Sequence, residues 1–382
     1  MKAIIHGNII LPTEIQSGNA LLFDKKIIGI VSNEHALSVA DEIIDAKGAY
    51  VSPGFVDVHI HGYVGADTSD ADKEGLIRMA NALVETGTTS FLPTTMTIPL
   101  DDLEKALDVA IDVQKECKKE EWKGAKIIGV HAEGPFINKA KKGAQLEEAI
   151  VRPNADIILR YQDIIKLITM APETEGGMEF IREICQKSDI QVSIGHTEAT
   201  YEQAIEAINY GASHITHTFN AMTPLKHRDP GVAGAALTKN VYAELICDTF
   251  HVHPGLFDLA VKSKGEHLVL ITDCVRAGGM PDGEYSLGGQ PIFLKGIECR
   301  LADGVIAGSV LKMNEGVKNL YNHASITLCD AIAAASLNPA NSINMGHKKG
   351  SLLPGKDADI ILMDEEFSIK MTIVGGKKVY EQ

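Results

Sequence analysis

Histidines fall where short apolar segments of the sequence end. Eight of the fourteen lie within or just beyond such ends: His59, His61, His131, His196, His214, His217, His251 and His253. His59 and His61 form a His-x-His pair, and residues two apart on a strand point to the same side. The same spacing relates His131 to Glu133. Imidazole and carboxylate groups that converge on one centre are typical ligands of a catalytic divalent ion.

The convergence of several strand ends predicts a metal site. The candidate ligands are His59, His61, Glu133, His196 and His217. This ligand set suits zinc, iron, cobalt or manganese, so the residues alone leave the identity of the ion open. His196 or His217 alone would more often be a structural histidine, but the convergence of the strand ends favours a ligand role for both. We interpret His214 and His253 as structural.

Two further polar residues offer the groups that amide hydrolysis needs. Asp273 ends the last apolar segment, where a carboxylate can accept a proton from the attacking water and return it to the leaving nitrogen. His251 follows the preceding segment and is a candidate to polarise the scissile carbonyl. Together with a metal ion, these residues predict a hydrolase.

Eight apolar segments alternate with helical patterns between residues 51 and 273. The segments with helical spacing are 72–86, 101–117, 177–187, 200–210 and 254–264. Strands that alternate with helices indicate a parallel sheet, and eight such units fit a (β/α)8 TIM-type barrel. The carboxyl ends of the strands in such a barrel carry the chemistry, which is where the histidines lie.

Both ends of the chain lack this alternation. Residues 1–50 and 346–382 contain short strand-like runs, and we expect them to pair into a small β-sandwich domain. The catalytic barrel, residues 51–345, would then interrupt this domain. A β excursion is expected at 282–309, after the eighth barrel strand. Helices are expected to follow it at about 312–323 and 327–336.

A phosphate-loop pattern near the C-terminus is a false match. Residues 350–356 read GSLLPGK, but Asp357 stands where a Ser or Thr should hold magnesium. The residues that follow read as a strand, whereas a phosphate loop opens a helix.

The composition excludes several classes of protein. The formal net charge is −15, from 36 basic and 51 acidic residues, which argues against nucleic acid and anionic membranes as partners. No apolar run is long enough for a signal peptide or a membrane span. The six cysteines are scattered, so we expect reduced thiols and a cytoplasmic location.

The motifs resemble those of a known family. PGFVDVHIHG after a small β segment, with PGKDADIILMD near the C-terminus, is similar to the amidohydrolase superfamily. HAEGPF, GHT, HTFNAM and TDC resemble, within it, the N-acetylglucosamine-6-phosphate deacetylase family. The resemblance covers nearly the whole chain. Many dinuclear relatives use a carboxylated lysine at the third or fourth strand, where this chain has Glu133.

The resemblance implies an activity and a metal arrangement. The reaction would be hydrolysis of N-acetyl-D-glucosamine 6-phosphate to D-glucosamine 6-phosphate and acetate, with Asp273 as acid and base. Glu133, His196 and His217 would bind the main ion. The His59–His61 pair would bind a second ion or assist the first, and some members have amides here and work with one metal. One or two ions are therefore expected, in a homodimer or a dimer of dimers.

The resemblance also implies the substrate contacts. They are Asn220, Ala221 and Arg228 for the phosphate, His251 for the acetamido carbonyl, and Ala144, Gln145, Ile306, Ala307 and Gly308 for the sugar. Gln145 departs from the family pattern, in which a histidine is frequent at this position.

Other substrates remain open at this point. Another acylated amino sugar or a cyclic amide is the alternative, although a neutral cyclic amide would not need Arg228 as a phosphate clamp. A non-catalytic scaffold is disfavoured, because it would not need the ligands and the acid together. Basic clusters follow two of the strands, at 139–142 and 226–228. They predict a locally positive entrance on an acidic protein, which suits a small phosphorylated substrate.

Overall fold

The N-terminal segment contributes to two sheets. The computed structural model describes all 382 residues. The first elements are β1 (Lys2–Ile5), β2 (Asn8–Ile10), β3 (Ile15–Gln16), β4 (Asn19–Phe23), β5 (Ile27–Ser32), α1 (Asn33–Val39), β6 (Glu42–Asp45) and β7 (Tyr50–Pro53). One sheet has the order β5-β4-β1-β6, whereas β7, β2 and β3 lie in another.

The alternating region forms the parallel barrel that its pattern predicts. Its elements are β8 (Phe55–Ile60), β9 (Gly62–Tyr63), β10 (Ala66–Asp67), α2 (Lys73–Leu83), β11 (Thr88–Thr95), α3 (Leu100–Glu116), β12 (Lys126–Ile127), β13 (Val130–Glu133), α4 (Ala155–Leu159), β14 (Ile165–Met170), α5 (Gly177–Lys187), β15 (Gln191–Ile194), α6 (Tyr201–Asn209), β16 (His214–Ile215), α7 (Gly231–Thr238), β17 (Tyr242–Ile246), α8 (Phe257–Lys264) and β18 (Leu268–Ile271). The eight barrel strands run in the order β8, β11 and β13 to β18.

The first and last barrel strands meet at the end that carries the histidines. The backbone N–H of Asp273 donates to the carbonyl of His59 at 2.8 Å, and His61 N–H donates to the carbonyl of Cys274 at 2.9 Å. Inside the barrel, the carboxylate of Asp57 accepts from the Thr272 hydroxyl at 2.6 Å. Burial raises the pKa of Asp57 to about 7. These contacts hold three residues of the predicted site, His59, His61 and Asp273, in fixed register.

Helices are confirmed at all five segments where the spacing predicts them. The barrel also contains α4 and α7, which were not predicted. Helix α6 begins with a capping box in which Thr200 and Gln203 bond reciprocally. Helix α7 has no apolar stripe, because Gly231 through Ala236 are all buried. Its sequence therefore lacks the periodicity by which a surface helix is recognised. None of the helices combines the length and hydropathy that a bilayer span needs.

The C-terminal part of the chain confirms the expected β excursion and its two helices. The elements are β19 (Gly283–Leu287), β20 (Gln290–Lys295), β21 (Glu298–Leu301), α9 (Met313–His323), α10 (Leu328–Ala335), α11 (Leu337–Ser342), β22 (Ile360–Met363), β23 (Ile369–Val374) and β24 (Lys377–Glu381). Strands β19 to β21 form an antiparallel sheet. The strand β22 follows the GSLLPGK pattern, where a phosphate loop would require a helix.

Strands from both chain ends form the small β-sandwich. The second sheet has the order β24-β23-β22-β7-β2-β3. Ile4 and Leu21 of one sheet pack with Ile360 and Leu362 of the other in one buried cluster. The chain leaves this sheet at Pro53 and enters the barrel at Phe55. The domain division at residues 50 and 345 stays a proposal, which this crossing supports to within a few residues.

A buried ion pair joins the segment after α11 to the C-terminal hairpin of β22 and β23. Lys349 is 3% exposed, and its ammonium donates to Asp359 at 2.6 Å. The other oxygen of Asp359 accepts from the backbone N–H of Gly375 at 2.7 Å. Burial alone would lower the pKa of Lys349, but Asp359 and Asp357 outweigh it and raise that pKa.

Replacing Lys349 with alanine should destabilise the fold strongly. Asp359 would keep its buried charge without a cation, which costs about 3–5 kcal/mol. Lys318→Ala is the matched control, because its partner Glu366 is 79% exposed and such pairs contribute below about 1 kcal/mol. Urea unfolding of both variants measures the difference. Equal losses of unfolding free energy would contradict the assignment of Lys349.

Candidate metal centre and substrate cavity

The Glu133 carboxylate lies at the centre of the predicted ligands. Its Oε1 atom is 3.1 Å from Nε2 of His196, 3.1 Å from Nε2 of His217 and 3.3 Å from Nε2 of His59. Its Oε2 atom is 3.2 Å from Nε2 of His61. None of the five side chains is more than about 7% exposed. The structure thus brings together all five residues that the sequence predicts as ligands.

Each of the four histidines is oriented by an oxygen at its other ring nitrogen. At distances of 2.8–3.2 Å, the partners of Nδ1 are the carbonyl oxygens of Lys141 for His196, Asn220 for His217 and Thr94 for His61, and a carboxylate oxygen of Glu244 for His59. These oxygens only accept hydrogen bonds, so Nδ1 carries the proton in each ring. Every Nε2 lone pair therefore faces Glu133 and is available to an ion.

The donor set fits a divalent ion. Nε2 of His59 is buried without a hydrogen-bond partner. Burial alone would lower the pKa of His61, but Asp273 and Glu133 raise it to about 10. The carboxylates thus demand a positive charge beside them, which a divalent cation provides once the imidazoles are neutral. Two ligand groups, one with the His59–His61 pair and one with His196 and His217, share Glu133.

His131 lies close to this centre, but its ring nitrogens are not free to bind a metal ion there. Its Nδ1 atom lies 3.1 Å from the carbonyl of Val58, and its Nε2 atom lies 2.7 Å from the hydroxyl of Thr169. Both ring nitrogens are therefore occupied inside the barrel. The i, i+2 relation to Glu133 reflects the strand and not a shared ligand role.

Asp273 lies against the same imidazoles. Its Oδ1 atom is 3.3 Å from Nε2 of His61 and 3.5 Å from Nε2 of His59. Burial alone would raise the pKa of this carboxyl, but the two histidines outweigh it and lower that pKa. Asp273 is therefore ionised near neutral pH and able to accept a proton at the centre.

His251 is held by an aspartate that sequence reasoning missed. Oδ2 of Asp248 is 2.6 Å from Nδ1 of His251, and its Oδ1 accepts from the backbone N–H groups of Phe250 and His251. Burial alone would lower the pKa of His251, but this hydrogen bond helps to raise it. An acid three residues before a candidate histidine was the available signal. Nε2 remains as the free polar atom of the ring.

Several site residues have left-handed backbone conformations. The φ angles are 49° for His196, 26° for His217 and 50° for Asp273, each just beyond a barrel strand. Such angles are uncommon outside glycine and asparagine and are kept only where the surroundings fix them. These conformations turn each side chain into the mouth of the barrel. The periodicity of the sequence does not predict them.

These residues open onto a cavity of about 520 Å³. The predicted residues on its wall are His61, Glu133, His196, His217, Asp273, His251, Asn220, Ala221, Ala144, Gln145, Ile306 and Gly308. The structure does not bring Arg228 or Ala307 to this wall. Arg228 is exposed in the loop 224–229, and Ala307 is fully buried. His59 lies beneath the wall as a buried member of the ligand cluster.

Gln145 contacts Glu133. Its amide nitrogen donates to Oε2 of Glu133, and its amide oxygen accepts from the backbone N–H of Thr97 at 2.6 Å. The side chain is 2% exposed. The departure from the family pattern thus places an amide where it orients the central carboxylate.

Asn220 lines the cavity and has an unpaired side-chain donor. Its side-chain nitrogen is buried and has no hydrogen-bond partner. The neighbours Phe219 and Ala221 have φ angles of 82° and 49°, so the loop backbone is not extended here.

The two predicted basic clusters have different places. Lys139, Lys141 and Lys142 line the cavity, whereas residues 226–228 are exposed outside it. The structural interpretation of His214 and His253 stays a prediction. His214 is fully buried against the ring of Tyr242, and Nδ1 of His253 accepts from the N–H of Gly255.

The sequence of this chain is similar to a known protein family and to several named enzymes. Residues 50–379 match the Amidohydrolase family. An N-acetylglucosamine-6-phosphate deacetylase of Lysinibacillus sphaericus is 40% identical over 366 residues, covering 93% of this chain and 91% of that one. The Bacillus subtilis deacetylase of the same name is 37% identical over 384 residues, with 98% and 96% covered. An N-acetylgalactosamine-6-phosphate deacetylase of Escherichia coli O157:H7 is 34% identical, with 90% and 94% covered.

Solved structures agree with these matches. N-acetylglucosamine-6-phosphate deacetylase of Pasteurella multocida superimposes with a TM-score of 0.93 at 30% identity, covering 100% of both chains. A mutant of the Mycobacterium smegmatis enzyme, in complex with N-acetyl-D-glucosamine 6-phosphate, has a TM-score of 0.88 at 28% identity, covering 99% of both. From the matched residues and these relatives, the chain belongs to the amidohydrolase family and, within it, to the N-acetylglucosamine-6-phosphate deacetylases.

Proposed function

We propose that this protein hydrolyses the acetamido group of N-acetyl-D-glucosamine 6-phosphate to D-glucosamine 6-phosphate and acetate. The observation that carries the proposal is the Glu133 carboxylate among four imidazole nitrogens, with Asp273 and His251 on the wall of the same cavity. Such a constellation supports amide hydrolysis.

One or two divalent ions would be held by His59, His61, Glu133, His196 and His217, with zinc, iron, cobalt and manganese all compatible with these donors. A bound ion supplies Lewis acidity, which makes water a nucleophile near neutral pH. The two ligand groups share Glu133, so a second ion would be held at the His59–His61 pair.

The protein's own residues would carry the protons of the reaction. Asp273 accepts a proton from the attacking water as the new carbon–oxygen bond forms at the acetamido carbon. It returns that proton to the nitrogen as the carbon–nitrogen bond breaks, so the amine leaves neutral. His251 directs its Nε2 towards the carbonyl oxygen and stabilises the negative charge that develops there. Asp248 keeps the His251 ring in this orientation.

The cavity also suits a phosphate group. Lys139, Lys141 and Lys142 place positive charge on its wall, and Asn220 has a free donor there. Phosphate oxygens accept charge-assisted hydrogen bonds from such groups. The contact of Arg228 with the phosphate stays a prediction, as does the homodimer, since this arginine lies outside the cavity wall of its own chain.

A second candidate substrate is the galacto epimer. The relative in Escherichia coli O157:H7 that bears the name N-acetylgalactosamine-6-phosphate deacetylase is 34% identical over 90% of this chain. Both substrates have the same acetamido and phosphate groups, so the metal centre and the lysines serve either one.

Acetate release should depend on both the phosphate and the metal. We expect N-acetylglucosamine to have a kcat/KM on the order of 10–100-fold below that of its 6-phosphate, because the charge-assisted contacts are lost. Dialysis against a chelator should abolish turnover, and added divalent ion should restore it. The galacto epimer measured in parallel ranks the two sugars. Full activity without metal, or equal kcat/KM with and without phosphate, would contradict the proposal.

The variant Asp273→Asn should lose turnover while it keeps its fold. Asparagine cannot accept the proton, so we expect kcat to fall by about 10²–10⁴-fold. Steady-state kinetics and circular dichroism measure the two properties. Asp163→Asn, which removes an exposed carboxylate away from the cavity, is the control and should match the parent. Near-normal turnover in Asp273→Asn would remove this residue as the acid and base.

A further inference from the structure

Glu244 is a fully buried carboxylate beneath the metal centre. It lies on β17 and is 0% exposed. Its Oε2 atom is 2.9 Å from Nδ1 of His59 and accepts from the backbone N–H of His217 at 3.0 Å. One carboxylate oxygen therefore contacts both ligand groups that share Glu133, the first through a side chain and the second through the backbone.

Burying the Glu244 carboxylate destabilises the fold unless hydrogen bonds offset the loss of its contacts with water. Its other oxygen, Oε1, has no hydrogen-bond partner, and Nδ1 of His214 lies 3.8 Å from it. A buried carboxylate without a close cation lowers the stability of the fold. The two bonds at Oε2 are thus the contacts by which this charge is compensated in the fold.

Glu244 is placed to orient a ligand and not to act as one. A third group of possible ligands includes Glu244 with His59 and His131. Both ring nitrogens of His131 are already paired, with the Val58 carbonyl and the Thr169 hydroxyl. An ion there would also have to replace the proton on Nδ1 of His59, which Glu244 accepts.

His59 differs from the other three histidines in this respect. Carbonyl oxygens orient His61, His196 and His217, whereas a carboxylate orients His59. A carboxylate partner fixes the tautomer and also makes the imidazole a stronger metal ligand. Binding of an ion at His59 should therefore depend on Glu244 more strongly than binding of an ion at His196 and His217 does.

We propose that Glu244 is a positioning residue that makes His59 a metal ligand, and that occupancy at the His59–His61 pair depends on it. The proposal rests on the proposed metal-dependent function. Through the N–H of His217, the same oxygen also keeps the two ligand groups in register.

Metal binding by three variants tests this role. Glu244→Met removes the acceptor at similar length, and Glu244→Gln retains one amide oxygen that can occupy the place of Oε2. Leu245→Ala is the matched control on the same strand, because the side chain of the next residue points to the opposite face and packs in a buried apolar cluster. Each purified protein is saturated with Zn²⁺, passed over a desalting column and analysed for metal per chain. Zn²⁺ affinity is measured by competition with a chromophoric chelator.

The expected result is specific to the acceptor. Glu244→Met should lose one ion per chain or bind it about 10–100-fold more weakly. Glu244→Gln should lie between Glu244→Met and the parent, because it keeps an acceptor oxygen but loses the charge, and Leu245→Ala should lower Tm without changing metal content. Unchanged metal binding in Glu244→Met, or a loss in Glu244→Gln as large as in Glu244→Met, would overturn the positioning role. A parent protein that binds no divalent ion would overturn the proposed function itself, which distinguishes the two failures.

Discussion

The carboxylate of Glu133 is the contact on which the arrangement of this site depends. Its two oxygens meet imidazole nitrogens from the ends of β8, β15 and β16, which converge at one end of the barrel. Gln145 fixes one of these oxygens. Backbone carbonyls and Glu244 fix the histidines in turn. The strands therefore determine which residues meet, and the hydrogen bonds behind them determine which ring nitrogen is presented.

Much of this could be predicted because it follows from periodicity. Alternating strands and helices indicate the barrel, and the i, i+2 spacing of His59 and His61 follows from the pleat. Asp248 and Glu244 could not be assigned in this way, since each acts through a contact that only the packed barrel forms. The exposed position of Arg228 was also not foreseen, because a loop sequence indicates charge but not direction. Helix α7 has no polar face and thus no helical signature.

The charge of the protein is divided between its surface and its cavity. The chain carries −15 overall, yet three lysines line the cavity wall and the buried carboxylates are matched by imidazoles. Interactions among exposed charges are screened within about 10 Å at 0.1 M salt, whereas charges in a recessed cavity are screened less. A small anion that reaches the entrance therefore experiences mainly the local lysines, which is consistent with a phosphorylated substrate on an acidic protein.

The mixed origin of the β-sandwich has a consequence for biosynthesis. Ser52 of β7 pairs with Ile361 of β22, so an early strand finds its neighbour only near the end of translation. At ~5–20 residues per second, the roughly 300 intervening residues take on the order of 15–60 s to emerge from the ribosome. During that interval β7 has an open hydrogen-bonding edge, which is the kind of surface that aggregates or recruits chaperones. The nascent chain is thus most vulnerable before its last strands are made, although the residues of the catalytic centre have already been synthesised.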